Sequence, residues 1–121
     1  MTMNEARVNE VCKSNCPCMD KCPLKVTMSL IDGKWKALIL CSLHQDKPTR
    51  YGELKRKING VANTMLSSSL KELEEAGLVV RTQFPEMPVR VEYALTDASA
   101  DLMPIISQLA LWGVQYQAKS N

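Results

Sequence analysis

The stretch from Asn59 to Arg81, which reads NGVANTMLSSSLKELEEAGLVVR, constrains the fold more than any other part of the chain. Leu66, Leu70 and Leu73 are spaced i, i+4 and i+7, so they share one face of a helix. Gly77 supplies the left-handed residue that commonly ends a helix. A second face carries three hydroxyls and one cation, from Thr64, Ser67, Ser68 and Lys71. The stretch predicts a helix with an apolar inner face and a small, polar outer face.

A turn signal, Asn59-Gly60, comes just before this helix. A short turn followed by a helix with small polar side chains is typical of the reading helix of a helix-turn-helix, because such side chains let the helix sit deep in the major groove. An ordinary amphipathic surface helix has the same pattern. The stretch alone therefore leaves both interpretations open.

Basic residues are concentrated in and before this helix. The chain has 121 residues, 45% of them hydrophobic, and a net charge of +2, which indicates a single globular domain. Between Lys47 and Lys71 the sequence contains six basic residues and one acidic residue, Glu53. Such a local excess makes a basic face on a nearly neutral protein and favours a nucleic-acid partner.

The first 22 residues are predicted to form a cysteine-rich arm, and residues 23–121 the folded domain. No run of about 18 apolar residues is present, so no transmembrane helix is expected. The first 20 residues carry five charges and no apolar run, so we expect no signal peptide and a cytoplasmic protein, in which thiols stay reduced. Four of the five cysteines lie within 11 residues, namely Cys12, Cys16, Cys18 and Cys22.

Two helices are predicted directly after the arm. Pro23 suits the first position of a helix that ends at Asp32-Gly33. A second helix is expected from about residue 34 to residue 43, with Cys41 as a plain buried thiol. Its buried stripe is predicted to consist of Trp35, Leu38, Ile39 and Leu43.

A short strand and a third helix are predicted before the reading helix. Arg50-Tyr51 is the expected strand, and residues 52–58 the expected helix, with Leu54 and Ile58 facing inward. Lys55 and its basic neighbours then point mostly outward. Their position suggests contacts with DNA phosphates, although a solvated charged face would look the same.

After Gly77 the pattern changes from helical to alternating. Residues 78–84 and 89–96 read as two strands, joined by the turn-forming residues 85–88. Two such strands form a β-hairpin, or wing. Arg90 lies beside the tip of the wing and Arg81 on its first strand. A wing that lies on DNA commonly places an arginine at the minor groove or the backbone.

The last helix begins after Thr96-Asp97, either of which can cap it. Its apolar residues are spaced 3, 4, 3 and 4, as in Leu102, Ile105, Leu109, Trp112 and Tyr116. Packing within its own chain is one interpretation of this stripe. We favour a homodimer seam, because a long exposed apolar stripe is a liability on a monomer.

Four motifs occur in a fixed order along these elements. They are CPL with IDGKW at residues 22–35, RYGELKRKINGV at 50–61, MLSSSLKELEEAGLVVR at 65–81, and PVRVEYALT at 88–96. Their combination resembles the HxlR family of bacterial winged helix-turn-helix transcription regulators, relatives of the MarR type. The resemblance covers about residues 22–116.

The resemblance implies a mainly α fold with a small β-hairpin, dimeric through its terminal helices. It implies a homodimer that binds a pseudo-palindromic operator in double-stranded DNA, with residues 63–76 in the major groove. It also implies a sensor role for Cys22, because in this family the cysteine ahead of the first helix is often a sensor of oxidants or electrophiles. Two positions depart from the family pattern: Ala62 replaces a capping Ser, and Ser99 replaces a Gly. If Asn63 became the cap instead, the helix would be one residue shorter.

The cysteine cluster has two chemical interpretations. A thiolate at a helix N-terminus is stabilised by the helix dipole, which favours Cys22 as a redox sensor, with Cys12, Cys16 and Cys18 as resolving thiols. Alternatively, the four thiolates would bind zinc or another soft metal, although C-x3-C-x-C-x3-C is not the common spacing. An arm whose thiols have no role is the third possibility.

The sequence as a whole predicts a homodimeric, sequence-specific DNA-binding regulator that responds to a thiol-directed signal and needs no cofactor. We assign the contacts with DNA phosphates to Arg50, Lys55 and Arg90, and the contacts with bases to Asn63, Thr64, Ser67 and Ser68. A metal-sensing regulator is the alternative. A small thiol oxidoreductase using Cys16 and Cys18 is the competing class, but the chain has no C-x-x-C pattern. A protein-interaction module without DNA binding is the last alternative.

Overall fold

The computed structural model describes residues 22–45 and 48–120. The chain divides into two compact units after Asp32. In the first unit, helix α1 spans Pro23–Ile31, with Pro at its first position and Cys22 directly before it. This confirms the first predicted helix. The predicted boundary between arm and domain at residue 22 stays a prediction, because residues 1–21 lie outside the described part.

In the second unit, four helices and three strands are described. They are α2 (Lys36–Gln45), β1 (Thr49–Arg50), α3 (Tyr51–Lys57), α4 (Asn63–Glu75), β2 (Val79–Phe84), β3 (Arg90–Leu95) and α5 (Asp97–Ser120). The strands form an antiparallel sheet in the order β1-β3-β2. This is the predicted winged helix-turn-helix fold. None of the described helices is long and apolar enough to cross a membrane.

Helix α2 lies at the centre of this unit, in contact with α3, α4, α5 and β3. The leucine stripe of α4 packs inward as predicted, since Leu66, Leu70 and Leu73 are buried. Leu54 and Ile58 are buried as well, also as predicted. The core thus holds the inner face of α4 and leaves its polar face outside.

The predicted stripe of α2 was partly wrong. The helix begins at Lys36, and its buried residues are Lys36, Ile39, Leu40 and Leu43, at spacings of 3, 1 and 3. Leu38 is 47% exposed, because it lies two positions from both Lys36 and Leu40 and so faces away from the core. The sequence pattern did not predict that Lys36 is buried, because a lysine side chain is rarely buried unless it has a partner.

The short strand lies one residue earlier than predicted, because Tyr51 begins α3. Strand β1 pairs with β3, with Thr49 opposite Tyr93 and Arg50 opposite Glu92. The side chain of Thr49 is buried. The wing is therefore a hairpin joined along one edge to the chain that leads into the helix-turn-helix.

Capping structures are present at the C-terminal end of α4 and at the N-terminal end of α5. Gly77 has a φ of 80°, the left-handed conformation predicted for the residue after α4. The carbonyl of Thr96 accepts the first hydrogen bond of α5, from the amide of Ala100 at 3.0 Å. Thr96 therefore caps α5, as predicted. Pro104 lies inside α5 near its start.

Candidate nucleic-acid interface

The polar face of α4 forms a shallow depression on the surface of the second unit. It is lined by Asn63, Thr64, Ser67, Ser68 and Lys71. All five residues are exposed. Each comes from the first three turns of the helix, so the residues predicted to read bases lie together, with one cation at the far end. Small hydroxyl side chains leave the backbone of such a helix free to approach the edges of base pairs.

The first turn of α4 has an unusual arrangement. Ala62 occupies the N-cap position and its side chain forms no cap hydrogen bond. The interpretation in which Asn63 replaces the cap and shortens the helix is wrong, because Asn63 is the first helical residue. Instead the hydroxyl of Tyr51 lies 3.1 Å from the carbonyl oxygen of Asn63, 3.3 Å from its Oδ1 and 3.2 Å from Ser67 Oγ.

The contacts of Tyr51 with the polar face of α4 are a feature that sequence reasoning missed. The sequence predicts a strand at Arg50-Tyr51, but Tyr51 begins α3 and its hydroxyl reaches across to α4. Its contacts join residues separated by 12 and 16 positions, which no local periodicity can reveal. The only signal was a tyrosine in a basic segment, in a chain that has three tyrosines.

A second depression lies at the start of α3 and carries two arginines. It is lined by Arg50, Gly52, Glu53 and Arg56. Arg50 and Arg56 are exposed, and Lys55, which precedes Arg56 on α3, is half-buried. The amide of Arg50 lies 3.4 Å from Glu53 Oε1, so one carboxylate offsets part of this charge. Arg56, one of the basic neighbours of Lys55 for which the sequence suggests phosphate contacts, shares the depression with Arg50.

Arg90, predicted to contact phosphate from the wing, has partners within its own chain. Its guanidinium lies 2.8 Å from a carboxylate oxygen of Glu86 and 3.4 Å from one of Glu92. The same group lies 4.0 Å from the centre of the Phe84 ring. Two carboxylates around one guanidinium make the local charge negative. A phosphate at Arg90 must therefore displace at least one of them.

Helix α4 is tied to α2 by an ion pair. The amine of Lys36 lies 3.2 Å from Glu72 Oε1. The Lys36 side chain is only 11% exposed, whereas that of Glu72 is 58% exposed. A largely buried ammonium requires a compensating anion, which fixes the position of Glu72 along α2. The pair therefore orients α4 on the core.

Helix α5 has two apolar faces. One contains Ser99, Met103 and Ile106, which are buried within the chain. The other is the predicted seam, and four of its five residues are more than half exposed: Ile105, Leu109, Trp112 and Tyr116. Leu102 is half-buried. The rings of Trp112 and Tyr116 stack at 5.1 Å, which makes a flat aromatic surface near the end of the helix.

The second unit has the parts of a winged helix-turn-helix, namely a helix with an exposed polar face, a basic flank and a wing. Comparisons with known proteins support this assignment of the fold. A family model for the HxlR-like helix-turn-helix matches residues 30–121. The chain belongs to the HxlR-like family. It is 50% identical over 95 residues to an HTH-type transcriptional regulator from Halalkalibacterium halodurans, covering 78% of this chain and 84% of that one.

Solved structures give the same result for this HxlR-like chain. A protein described as a MarR-family transcriptional regulator from Porphyromonas gingivalis is 41% identical, with a TM-score of 0.74, over 79% of this chain and 93% of that one. The oxidized form of the redox regulator HypR is 34% identical, with a TM-score of 0.73, over 78% of this chain and 96% of that one. The HxlR-like chain is a transcriptional regulator with a DNA-binding fold. The prediction of a regulator and not an enzyme is confirmed.

The cysteines of this HxlR-like regulator are only partly described. Cys22 is 8% exposed at the start of α1, while Cys12, Cys16 and Cys18 lie outside the described residues. Within the described part, no group of three or more histidine, cysteine or acidic residues is placed to hold a metal ion. The metal alternative depends on the other three cysteines and stays a prediction. Cys41 is half-buried, and burial raises the pKa of its thiol.

Proposed function

We propose that this HxlR-like regulator binds a pseudo-palindromic operator as a homodimer, with one α4 helix in each of two successive major grooves. The polar depression on α4 carries this proposal. It presents Asn63, Thr64, Ser67, Ser68 and Lys71 on one exposed face. In a symmetric dimer, two such helices contact half-sites about one helical turn apart.

Phosphates flank the reading helix in this arrangement. Arg50 directly precedes α3 and Lys55 lies in the last turn of that helix, whose first residue, Tyr51, contacts α4. They are assigned to the DNA backbone, which fixes the register of α4 without reading sequence. Arg90 is assigned to the backbone near the wing, where a phosphate competes with Glu86 and Glu92 for its guanidinium.

The seam of α5 is assigned to the dimer interface. Four large side chains on one face, from Ile105 to Tyr116, are more than half exposed in a single chain. Pairing two copies removes this apolar surface from water, and each fully buried large side chain contributes about 1.5–3 kcal/mol. A second copy of the same helix supplies a complementary stripe, as a two-fold interface requires.

The signal is proposed to be an oxidant or electrophile that reacts with Cys22, while Cys12, Cys16 and Cys18 serve as resolving thiols. Four cysteines within 11 residues and the likeness to a redox regulator, HypR, support this. The attacking thiolate takes one oxygen from a peroxide and becomes a sulfenic acid. The O–O bond breaks, and the rest of the peroxide leaves as an alcohol or as water. A second thiol then displaces water and closes a disulfide, which completes a two-electron oxidation.

The test is a DNA-binding measurement on the full-length protein in reduced and peroxide-treated forms. An operator is first selected from random duplexes, and its affinity is compared with that of scrambled DNA. We expect tight binding by reduced protein and weaker binding after oxidation, restored by dithiothreitol. The variant Cys22→Ser is expected to bind normally and to resist peroxide, with Cys41→Ser as the matched control that stays sensitive.

Other results would favour the alternatives. Equal operator affinity for reduced and oxidised protein would remove the redox proposal. Native mass spectrometry that shows a bound metal ion, lost on addition of a chelator together with DNA binding, would support a metal sensor. An unchanged DNA affinity after Ser67→Glu and Ser68→Glu would indicate an interaction module, because two anions in the major groove must repel DNA.

A further inference from the structure

The contacts of Tyr51 restrict what the hydroxyls of α4 can do. The tyrosine has one proton and lies 3.1 Å from the main-chain carbonyl of Asn63 and 3.3 Å from Asn63 Oδ1. A carbonyl oxygen can only accept. The tyrosine proton is therefore directed to the Asn63 oxygens, since two oxygens at this distance without a proton between them repel each other.

This assignment settles the polarity of the third contact. The hydroxyl oxygens of Tyr51 and Ser67 lie 3.2 Å apart, and by distance alone either could be the donor. Because the only proton of Tyr51 is engaged with Asn63, Ser67 must donate to Tyr51. A serine hydroxyl has one proton and two lone pairs. The lone pairs of Ser67 are what remains for a ligand at the exposed face.

The adjacent hydroxyl has the same polarity for an independent reason. Ser68 Oγ donates to the carbonyl oxygen of Met65 at 3.2 Å, one turn earlier in α4. Ser68 is exposed, so its lone pairs also face outward. Two neighbouring hydroxyls of the reading face are thus acceptors, although serine in general contacts either donors or acceptors on bases.

We propose that Tyr51 is a specificity-determining residue, which makes Ser67 a hydrogen-bond acceptor and directs it to the exocyclic amino group of adenine or cytosine. These amino groups are the donors that base pairs present in the major groove, whereas guanine O6 and N7 and thymine O4 are acceptors. Ser68 has the same preference. This inference rests on the proposed function, since it concerns which bases α4 reads.

The first experiment uses the selected operator with single atoms removed. An adenine is replaced by unsubstituted purine, or a cytosine by 2-pyrimidinone, which deletes the amino group. In parallel, 7-deaza bases delete the N7 acceptor. At one position of each half-site, amino deletion should weaken binding of the normal protein about three- to tenfold, as loss of one hydrogen bond does. The same deletion should cost less than about twofold in Ser67→Ala.

The second experiment removes the positioning group. In Tyr51→Phe, the Ser67 hydroxyl can rotate and donate, so discrimination between amino-bearing and amino-free bases at that position should fall about three- to tenfold. Affinity for scrambled DNA should change by less than about twofold, since phosphate contacts are kept. Tyr93→Phe on β3 deletes a hydroxyl from the sheet and should leave the discrimination unchanged. Circular dichroism establishes that each variant is folded.

The outcomes separate this inference from the proposed function. If the normal protein binds no duplex better than scrambled DNA, the proposed function fails. If it binds specifically, but 7-deaza bases weaken binding in place of amino deletion, Ser67 and Ser68 are donors and the inference alone is overturned. Specific binding that no analogue near Ser67 affects, with unchanged discrimination in Tyr51→Phe, overturns it as well.

Discussion

Replacing Ser99 by alanine tests the hydrogen-bonded cap that starts α5. Ser99 is fully buried, and its Oγ accepts from the amide of Thr96 at 2.9 Å and donates to the carbonyl of Thr96 at 2.9 Å. In return, Thr96 Oγ1 lies 3.4 Å from the amide of Ser99. Thr96 Oγ1 also donates to the carbonyl of Gly77 at 2.6 Å, which joins the end of α4 to the start of α5.

The size of the loss in stability depends on which polar groups lose all of their hydrogen-bond partners. Loss of a helix cap costs about 0.5–2 kcal/mol, and a buried donor without an acceptor costs about 1–3 kcal/mol. In Ser99→Ala the amide of Thr96 keeps its 3.3 Å bond to the carbonyl of Leu78, so the second cost does not apply. We expect a loss of about 1 kcal/mol for Ser99→Ala and about 2 kcal/mol for Thr96→Ala, which also loses the bond to Gly77.

Urea unfolding at one fixed protein concentration measures both values, because the stability of a dimer depends on concentration. The control is Ser107→Ala, an exposed position of α5, where we expect a change within about 0.5 kcal/mol. Ser99→Gly should cost about 1 kcal/mol more than Ser99→Ala, since glycine weakens a helix. A Ser99→Ala variant as stable as the control, or less stable than Thr96→Ala, would refute the reasoning.

Three further predictions concern the wing, the thiol of α2 and the seam. Glu86→Gln removes the 2.8 Å ion pair of Arg90. DNA affinity near 0.15 M salt should then rise up to about fivefold, and the slope of log affinity against log salt concentration should steepen by about 0.9. An unchanged slope in a salt titration would show that Arg90 does not contact DNA. Because burial raises the pKa of Cys41, peptide mapping should show slower iodoacetamide labelling of Cys41 in the native protein than in urea, with the rate increasing at higher pH; equal rates would contradict this. Leu109→Glu should convert dimers to monomers in sedimentation runs, whereas Ser107→Glu on another face should not, and a Leu109→Glu dimer would exclude the seam.

The surroundings of Arg90 in the wing could not be predicted from residue type alone. An arginine beside a hairpin tip was assigned to phosphate because wings commonly use arginine there. The structure adds two carboxylates and an aromatic ring around the same guanidinium. Glu86 and Glu92 are both near in sequence, but their approach depends on how the hairpin closes. The charge that DNA meets at the wing therefore depends on three residues together.

What the sequence determined by itself is local. The leucine spacing of α4, the left-handed Gly77 and the cap at Thr96 were correctly predicted, because backbone geometry fixes the period of a helix and the conformation at its ends. The same periodicity placed the hydroxyls of α4 on one face, and the structure leaves that face exposed.

Only the tertiary structure decided how these elements meet. The pairing of β1 with β3, the ion pair of Lys36 with Glu72 and the reach of Tyr51 to Ser67 all join separate elements. Such contacts depend on the angle and distance at which elements pack, which no spacing within one element encodes. The sequence could therefore assign serines to the polar face of α4, while only the contact of Tyr51 with α4 bears on the direction in which Ser67 donates its proton.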